Sequence, residues 1–384
     1  ECGREIKCTP DHPLLTRDGY ISALSAKELA FPMVQHYSED EKAMKARLYG
    51  YLFGDGWLSK YRSIGFSGKA LKEDLLKIKG DLTLIGISSS NVYSRKTKSI
   101  ITNDSGKSFA VNGTSSSITS SRKAFNYFLK LGAPVGDKTL QSFMIPTWIL
   151  KGSKKVKSEF LAGFMGADGN RISQARNAKG DFNAIRLSFN KDVRLKNEAF
   201  KFAKQLKRLF RDVGVKTSNI NQRTGNLRKN GIKTLKIQIT LAKNIRNTIK
   251  FLERIGYRYC SDKENRGLLW LEYLRAREYE IRKRNKIRKM ALRLNTSLDR
   301  QSIIRSLKLR KYEFRQYLYK NKKSGISWTF DSLPEWIEKR LVKGLIFEKV
   351  VDVKEAGISD VYDIVVEDTH NFIGNNIISH NCHE

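Results

Sequence analysis

The sequence runs to His380-Asn381-Cys382 just before its last two residues, and this adjacency allows a peptide bond to break without an external nucleophile. The side-chain amide of Asn381 can attack its own main-chain carbonyl, closing a five-membered succinimide and releasing the amine of Cys382. That step is slow unless the carbonyl is polarised. His380 and His370 could do this by donating hydrogen bonds or protons, because imidazole exchanges protons near neutral pH. Cys382 brings a thiol with an ordinary pKa of about 8.5 and can accept a transferred acyl chain. The plainer alternative for His370 is a hydrogen-bonded strand histidine.

A second chemistry comes from an internal duplication. In "LYGYLFGDG" Gly50 and Gly54 lie four apart, and in "LAGFMGADG" Gly163 and Ala167 do the same. That spacing puts small residues on one helix face, so two such helices can approach backbone to backbone. Glycine in a helix interior costs about 1 kcal/mol relative to alanine, so a packing reason is expected. Each run then ends in Asp-Gly, at Asp55 and Asp168. The glycine suits a helix stop, but the partial negative charge of a helix C-terminus disfavours a carboxylate. A bound divalent cation would resolve the conflict, and Mg²⁺ takes carboxylate and carbonyl oxygens together with water. The alternative is a pair of surface aspartates near helix stops; recurrence in matching repeats weighs against it.

The elements that must position these groups also repeat. After each glycine-ended helix comes a strand candidate, "RSIGFSG" or "DFNAIRLSFN", then a basic helix, "KALKEDLLKIKGDL" or "KNEAFKFAKQLKRLF". Late in each half a strand leads into a helix ending Leu-Gly or Ile-Gly, so the unit reads αββαββα twice. Lys+Arg number 73 against 39 Asp+Glu, a net charge of +34, which points to a polyanionic partner and first to nucleic acid. The helical stretch 263–330 concentrates this charge. Arg282, Lys283, Arg284, Lys286, Arg288, Lys289, Arg310 and Lys311 are the expected DNA contacts, a solvated helix face being the bland alternative. No apolar run reaches the roughly 18 residues of a spanning helix, so no membrane partner is expected. Cys2, Cys8, Cys260 and Cys382 form no CxxC pair, so reduced thiols are expected in place of a disulfide framework or zinc site.

The two Asp-Gly motifs resemble those of the LAGLIDADG homing endonucleases, over roughly residues 40–260. The resemblance implies a pseudo-twofold pair of αββαββα units whose sheets lie in the DNA major groove. It implies a Mg²⁺-dependent double-strand cut, with two or three ions held by Asp55, Asp168 and the backbone carbonyls of Gly54 and Ala167. Two departures stand out: the first acidic position of the motif holds Phe53 in one copy and Gly166 in the other, and Phe143 replaces a lysine often found ahead of the family's Ile-Pro block. A basic side chain usually lies near each metal. Lys236 is the candidate in the second half, a simple phosphate contact being the alternative.

The two ends of the chain resemble the splicing blocks of an intein. "VYDIVVEDTHNFIGNNIISHNC" is similar to the C-terminal blocks, and "GREIKCTPDHPLLT" to the Thr-x-x-His block at Thr9 to His12. The resemblance assigns Asp363 to coordinating the steps, and Thr9 and His12 to distorting or protonating the upstream scissile peptide. Taken singly, Asp363 reads as a turn acceptor and Thr9 and His12 as a turn around Pro10. An intein normally opens with a nucleophilic Cys or Ser several tens of residues ahead of that block, whereas Cys2 precedes His12 by only ten positions. The opening splice block is therefore expected to be missing, supplied by another chain or deleted, with Cys2 a candidate remnant. Joining Glu1 to Cys382-His383-Glu384 gives Glu-Cys-His-Glu, which resembles the DExH box of a helicase and suggests such a host.

The expected architecture is α+β and multidomain. An all-β Hint splicing domain is built from 1–35 and 340–381, the endonuclease occupies 40–262 (repeats about 40–134 and 150–262), and 263–330 is a basic helical DNA-recognition region. Residues 382–384 are a remnant of the flanking host. The expected partners are double-stranded DNA and host flanks, the chain being a monomer located with its host in cytoplasm or nucleoid. Two other readings are a LAGLIDADG protein whose cutting has decayed to nucleic-acid binding, and an autoprocessing domain with an inert insertion.

Overall fold

The structure is a computed structural model that describes residues 4–34, 37–68, 72–102, 108–176, 181–228, 231–292, 301–302, 304–305, 330–362 and 364–381. It mixes helix and strand in two compact units, one of Gln35–Ser173 and Phe182–Leu268, the other of Glu1–Val34, Gln174–Asp181 and Leu269–Glu384.

In the first of these units the two Asp-Gly runs are helices, α1 (Glu41–Gly54) and a later one, α5 (Lys154–Asp168). Each has a side-chain N-cap: Asp40 accepts from the Ala43 amide at 2.8 Å, and Ser153 from that of Val156 at 3.3 Å. Both are buried nearly all round from their second turn onward, as central helices are. Their contact runs through the small residues. A methyl group built on Gly50 would lie 2.0 Å from the Phe160 carbonyl oxygen, and one on Gly163 would lie 2.0 Å from that of Arg47. One on Gly54 would meet the Ala167 Cβ at 2.3 Å.

The departures from the acidic motif have the same origin. A methyl on Gly166 would fall 1.7 Å from the Arg258 carbonyl oxygen, so no side chain fits there. Phe53 is 4% exposed, stacked on Phe202 at 5.7 Å and edge-on to Phe143 at 4.9 Å. Near the start of the seam Arg47 chelates Asp81 at 2.5 and 2.6 Å, and Arg258 chelates Glu159 at 2.9 and 3.1 Å. Tyr37 covers both guanidinium groups.

After α1 come β4 (Gly56–Leu58), β5 (Ile64–Gly68), α2 (Lys72–Leu84), β6 (Tyr93–Thr102), β7 (Ser108–Ser120) and α3 (Arg122–Lys130). Their antiparallel sheet has the order β4-β5-β7-β6. A short α4 (Thr147–Leu150) precedes α5, and after α5 come β8 (Arg186–Asp192), α6 (Lys196–Asp212), β9 (Thr217–Leu227), β10 (Lys233–Leu241) and α7 (Ile245–Arg254), with sheet order β8-β10-β9. Where β4 stands in the first half, the second has a single bridge, Gly169 to Leu187. Helix α8 (Ser261–Leu292) begins in this unit and belongs to the other from Leu269.

The other unit is built from strands near both ends of the chain: β1 (Pro13–Thr16), β2 (Gly19–Ser22) and β3 (Glu28–Pro32), then β11 (Leu341–Val342), β12 (Leu345–Lys349), β13 (Asn371–Gly374) and β14 (Ile377–His380). They interleave in two sheets, β13-β14-β1-β2 and β11-β12-β3. Helix α9 (Leu333–Arg340) leads into β11. The β13–β14 hairpin turns at Asn375-Asn376, both with positive φ, a turn that asparagine tolerates and that matches strand twist. The all-β character expected over 340–381 is not continuous. Between β12 and β13 the described residues form no strand, and Val351, Val353, Val361 and Val365 are exposed. Alternation alone makes no strand without a partner ladder.

Gly50→Ala is expected to destabilise the protein by about 3 kcal/mol or more, the upper range of overpacking, because backbone sits where the methyl must go. Gly80→Ala, at an exposed position of helix α2 where the methyl meets nothing within 4 Å, should stabilise by about 1 kcal/mol. Urea unfolding of both variants checks the pair.

Candidate functional site

Strand β14 carries the first group of reactive side chains. Its partners on either side, β13 and β1, set Asn371 opposite His380 and Leu14 opposite Ser379. The backbone then bends so that the Asn381 amide donates to the His370 carbonyl at 2.9 Å. His380 turns its Nδ1 onto the Asn381 carbonyl oxygen at 2.8 Å; since a carbonyl only accepts, Nδ1 carries the proton. The His380 ring is held edge-on by Tyr20 at 4.9 Å and lies 6.2 Å from the His370 ring. Asn381 is 8% exposed, and its side-chain oxygen is buried without a hydrogen-bond partner among the described residues. The Asn381 carbonyl is therefore polarised and shielded from water.

Thr9 and His12 form one turn, with the His12 amide donating to the Thr9 carbonyl at 3.2 Å and the His12 carbonyl accepting from Ala23 at 2.9 Å. The Thr9 hydroxyl, ahead of the main chain and His12, holds the Asp11 carboxyl below its usual range. His12 packs against Phe372 at 6.1 Å, on the same sheet as His380. Cys2, Asp363 and Cys382 lie outside the described residues, as do Arg310 and Lys311.

The second group lies where α1 and α5 end. Gly54 is so close to the other helix that an added methyl would also touch Asp168, 3.3 Å from its Cγ. Asp55 caps α1 and its main-chain oxygen accepts from the Ser67 amide and hydroxyl at 3.0 and 2.7 Å. Burial pushes the Tyr51 hydroxyl up in pKa, and the charges of Asp55, Cys260, Asp74 and Asp168 push the same way. Asp55 and Asp168 thus converge on one end of the helix pair.

The negative potential at these helix ends is met by lysines. Lys138 donates to the carbonyls of Leu52, Phe53 and Gly56 at 2.9, 2.8 and 2.8 Å, and to that of Gly54. Lys263 does the same on α5, reaching Gly166 at 2.5 Å, Ala167 at 2.9 Å and Met165 at 3.3 Å. Burial pulls the Lys138 ammonium down to about 8, against the opposing pull of Asp168, Asp55 and Asp137. The electrostatic case for a metal at this place is weaker than the sequence suggests: the carbonyls of Gly54 and Ala167, expected as ligands, already accept from ammonium groups. No cluster of three or more His, Cys, Asp or Glu with metal-binding geometry occurs among the described residues. Two carboxylates remain as donors, a set that still fits Mg²⁺, which keeps most of its waters and is bound through one or two carboxylates plus substrate phosphates.

Lys236 is exposed in β10, opposite Asn190 and Arg223. The lysines at the helix ends leave a faint trace in the sequence. Each follows the Leu-Gly or Ile-Gly helix stop of its half, in "LGAPVGDK" and "IGYRYCSDK", directly after an aspartate or one residue beyond a serine-aspartate pair. On α8, Arg282, Lys286 and Lys289 are exposed, Lys283 is half-buried, and the Arg288 side chain lies outside the described residues. Arg284 is 7% exposed. It shares the packed stripe of the helix with Ile287, so it is not presented to solvent as a DNA contact would be.

A family model for the intein splicing domain matches residues 1–381. This chain is a member of the intein splicing-domain family. The intein is 30% identical over 445 aligned residues to a tRNA-splicing ligase RtcB of Methanocaldococcus jannaschii, covering 100% of this chain and 44% of the relative. It is 32% identical to the replication factor C small subunit of the same organism, covering 93% of this chain and 18% of the relative. A third relative there, DNA-directed RNA polymerase subunit Rpo1N, is 30% identical, covering 90% of this chain and 23% of its own length. The intein therefore spans less than half the length of each of these relatives. Membership of the family carries autocatalytic protein splicing as its activity. No helix among the described residues is long and apolar enough to cross a membrane.

Beside Lys138 lies Lys191, which burial and then the Lys138 charge pull from 10.5 down to about 7. Between about 7 and 10.5 the unfolded chain binds the proton that the folded one has lost, so this group makes stability rise with pH in that window. Lys191→Met should flatten that rise, measured as urea midpoints from pH 6.5 to 10.

Proposed function

We propose that the intein breaks its C-terminal junction by cyclisation of Asn381. The contact of His380 Nδ1 with the Asn381 carbonyl oxygen at 2.8 Å carries this reading. The Asn381 side-chain nitrogen attacks the Asn381 carbonyl carbon, forming the C–N bond of the imide. The bond to Cys382 breaks, and its nitrogen leaves as an amine with the proton released by the attacking amide. His380 stabilises the negative charge that grows on the carbonyl oxygen, while Tyr20 holds its ring and the His370 carbonyl holds the Asn381 amide. Thr9 and His12 are assigned to the upstream junction, and Asp363, Cys382 and Cys2 keep the roles the resemblance gives them.

The inserted helix-pair unit is proposed to be a LAGLIDADG-type endonuclease that makes a Mg²⁺-dependent double-strand cut in DNA. The observation that favours this over a decayed binder or an inert insertion is the matched pair of Asp and Lys at the two helix ends. Asp55 and Asp168 would hold Mg²⁺, which supplies an activated water and stabilises the leaving oxygen of a phosphodiester. Lys138 serves as the basic group of the first half and Lys263, in place of Lys236, as that of the second, and Arg282, Lys286 and Lys289 extend the DNA contact. Segments of this kind shared among a tRNA-splicing ligase, a replication factor C small subunit and a DNA-directed RNA polymerase subunit suit an element carried by different hosts. An RtcB-type ligase thus joins the DExH-type helicase as a candidate host, and a monomer located with that host follows.

With a reporter fused after Glu384, mass spectrometry should show its release from the wild-type chain and none from Asn381→Ala; His380→Ala should slow release about 100-fold. Release from Asn381→Ala would refute the cyclisation. Asp55→Asn and Asp168→Asn should each abolish Mg²⁺-dependent cutting of the uninterrupted host-gene site while leaving gel-shift binding in EDTA intact. Undiminished cutting by both would refute the metal assignment.

A further inference from the structure

The two lysines at the helix ends are each gripped from outside by a buried charged residue with no part in the chemistry above. Lys138 rides on the loop between α3 and α4. That loop is tied down by Lys191 of β8, whose ammonium donates to the main-chain oxygens of Lys138 and of Gln141, the latter at 2.7 Å, and sits 3.5 Å from the centre of the Phe143 ring. Lys191 is 3% exposed. A lysine so withdrawn from water costs stability unless its donors are used, and both carbonyls it meets belong to the one loop that delivers Lys138. The backbone reinforces the grip, the Asp192 amide donating to the Thr139 carbonyl at 2.9 Å.

Lys263 is held differently but as firmly. It lies in the first turn of α8, two residues after Ser261. Asp74, in the first turn of α2, accepts from the Ser261 amide at 2.8 Å and from its hydroxyl at 2.5 Å through one oxygen, Oδ1. Lys77, one turn further along α2, pairs with Glu264 at 2.7 Å. Asp74 is 2% exposed, and its other oxygen is buried without a partner among the described residues. Half of this carboxylate's hydrogen-bonding capacity is thus given up to place the other half on the start of α8.

We infer that Lys191 and Asp74 are positioning residues, Lys191 for Lys138 and Asp74 for Lys263, so that each governs one of the two strand cuts. The inference rests on the endonuclease reading. Two lysines at two helix ends would serve two phosphodiesters, and each support bears on one of them, Lys191 through the main chain of Lys138 and Asp74 through Ser261, two residues before Lys263. Loss of one support should therefore uncouple the strands instead of weakening the enzyme evenly. A neutral lysine still donates, so the Lys191 grip acts on either side of its titration.

The experiment uses the full chain and two readouts. In metal-free protein without DNA, Lys191→Met should speed amide exchange over residues 138–143 at least tenfold and leave 261–266 unchanged, and Asp74→Ala should do the reverse. On a supercoiled plasmid carrying the uninterrupted host-gene site, with Mg²⁺, each variant should accumulate nicked circles, and sequencing should place the two nicks in opposite strands. Lys191→Arg and Asp74→Asn keep the donor and the Oδ1 acceptor, so both should restore linear product and wild-type exchange; they also cover the case in which a truncated variant fails to fold. The inference is overturned if exchange at the two segments is unchanged, if both strands slow in step, or if both variants nick the same strand. A wild-type chain that leaves the plasmid intact would overturn the endonuclease reading, and the exchange result would still decide whether the supports hold their lysines.

Discussion

Two backbones in contact are the constraint on which the helix-pair unit depends. At Gly50 and Gly163 the main chain of one helix occupies the space where a side chain of the other would begin, and the relation is reciprocal. Such contacts leave no room for the side-chain repacking that lets ordinary helix pairs drift by an ångström or more. The ends of α1 and α5 are consequently fixed against each other, and everything placed on them inherits that spacing: Asp55, Asp168 and the carbonyls that receive Lys138 and Lys263. The sheets of the two halves differ, one with four strands and the other with three and a bridge, yet the seam is the same in both.

The electrostatics of the helix ends are resolved from within the protein. Four main-chain carbonyls converge on Lys138 and three on Lys263, which places a full positive charge where the helix dipole is most negative. That leaves the carboxylates of Asp55 and Asp168 less burdened by the dipole. Burial makes both Lys138 and Lys191 easier to deprotonate, and at Lys191 the charge of Lys138 adds to that effect.

How far this was legible in the sequence depended on the range of the interaction. The seam could be read because its glycines recur at helical spacing within one element. The contact between His380 and the Asn381 carbonyl could be read because the groups are neighbours in the chain. Lys138 and Lys263 leave little sign in the sequence because their partners lie 84 and 96 residues away, whereas a lysine in an alternating strand, such as Lys236, is conspicuous. Phe53 and Gly166 looked like losses from an acidic motif, whereas packing explains both. The alternating valines Val351 and Val353 form no strand, because a strand is a property of pairs and a partner is not visible in one segment of sequence.

Asn381 is enclosed, with its main-chain oxygen engaged and its side-chain oxygen unsatisfied. An enzyme that must admit and expel substrate many times needs an open path to its reacting atoms. A bond that belongs to the chain itself arrives in place when the chain folds and is broken once. Folding takes the role of substrate binding here, so whatever disturbs the pairing of β14 with β1 should alter the timing of the reaction before it alters its chemistry.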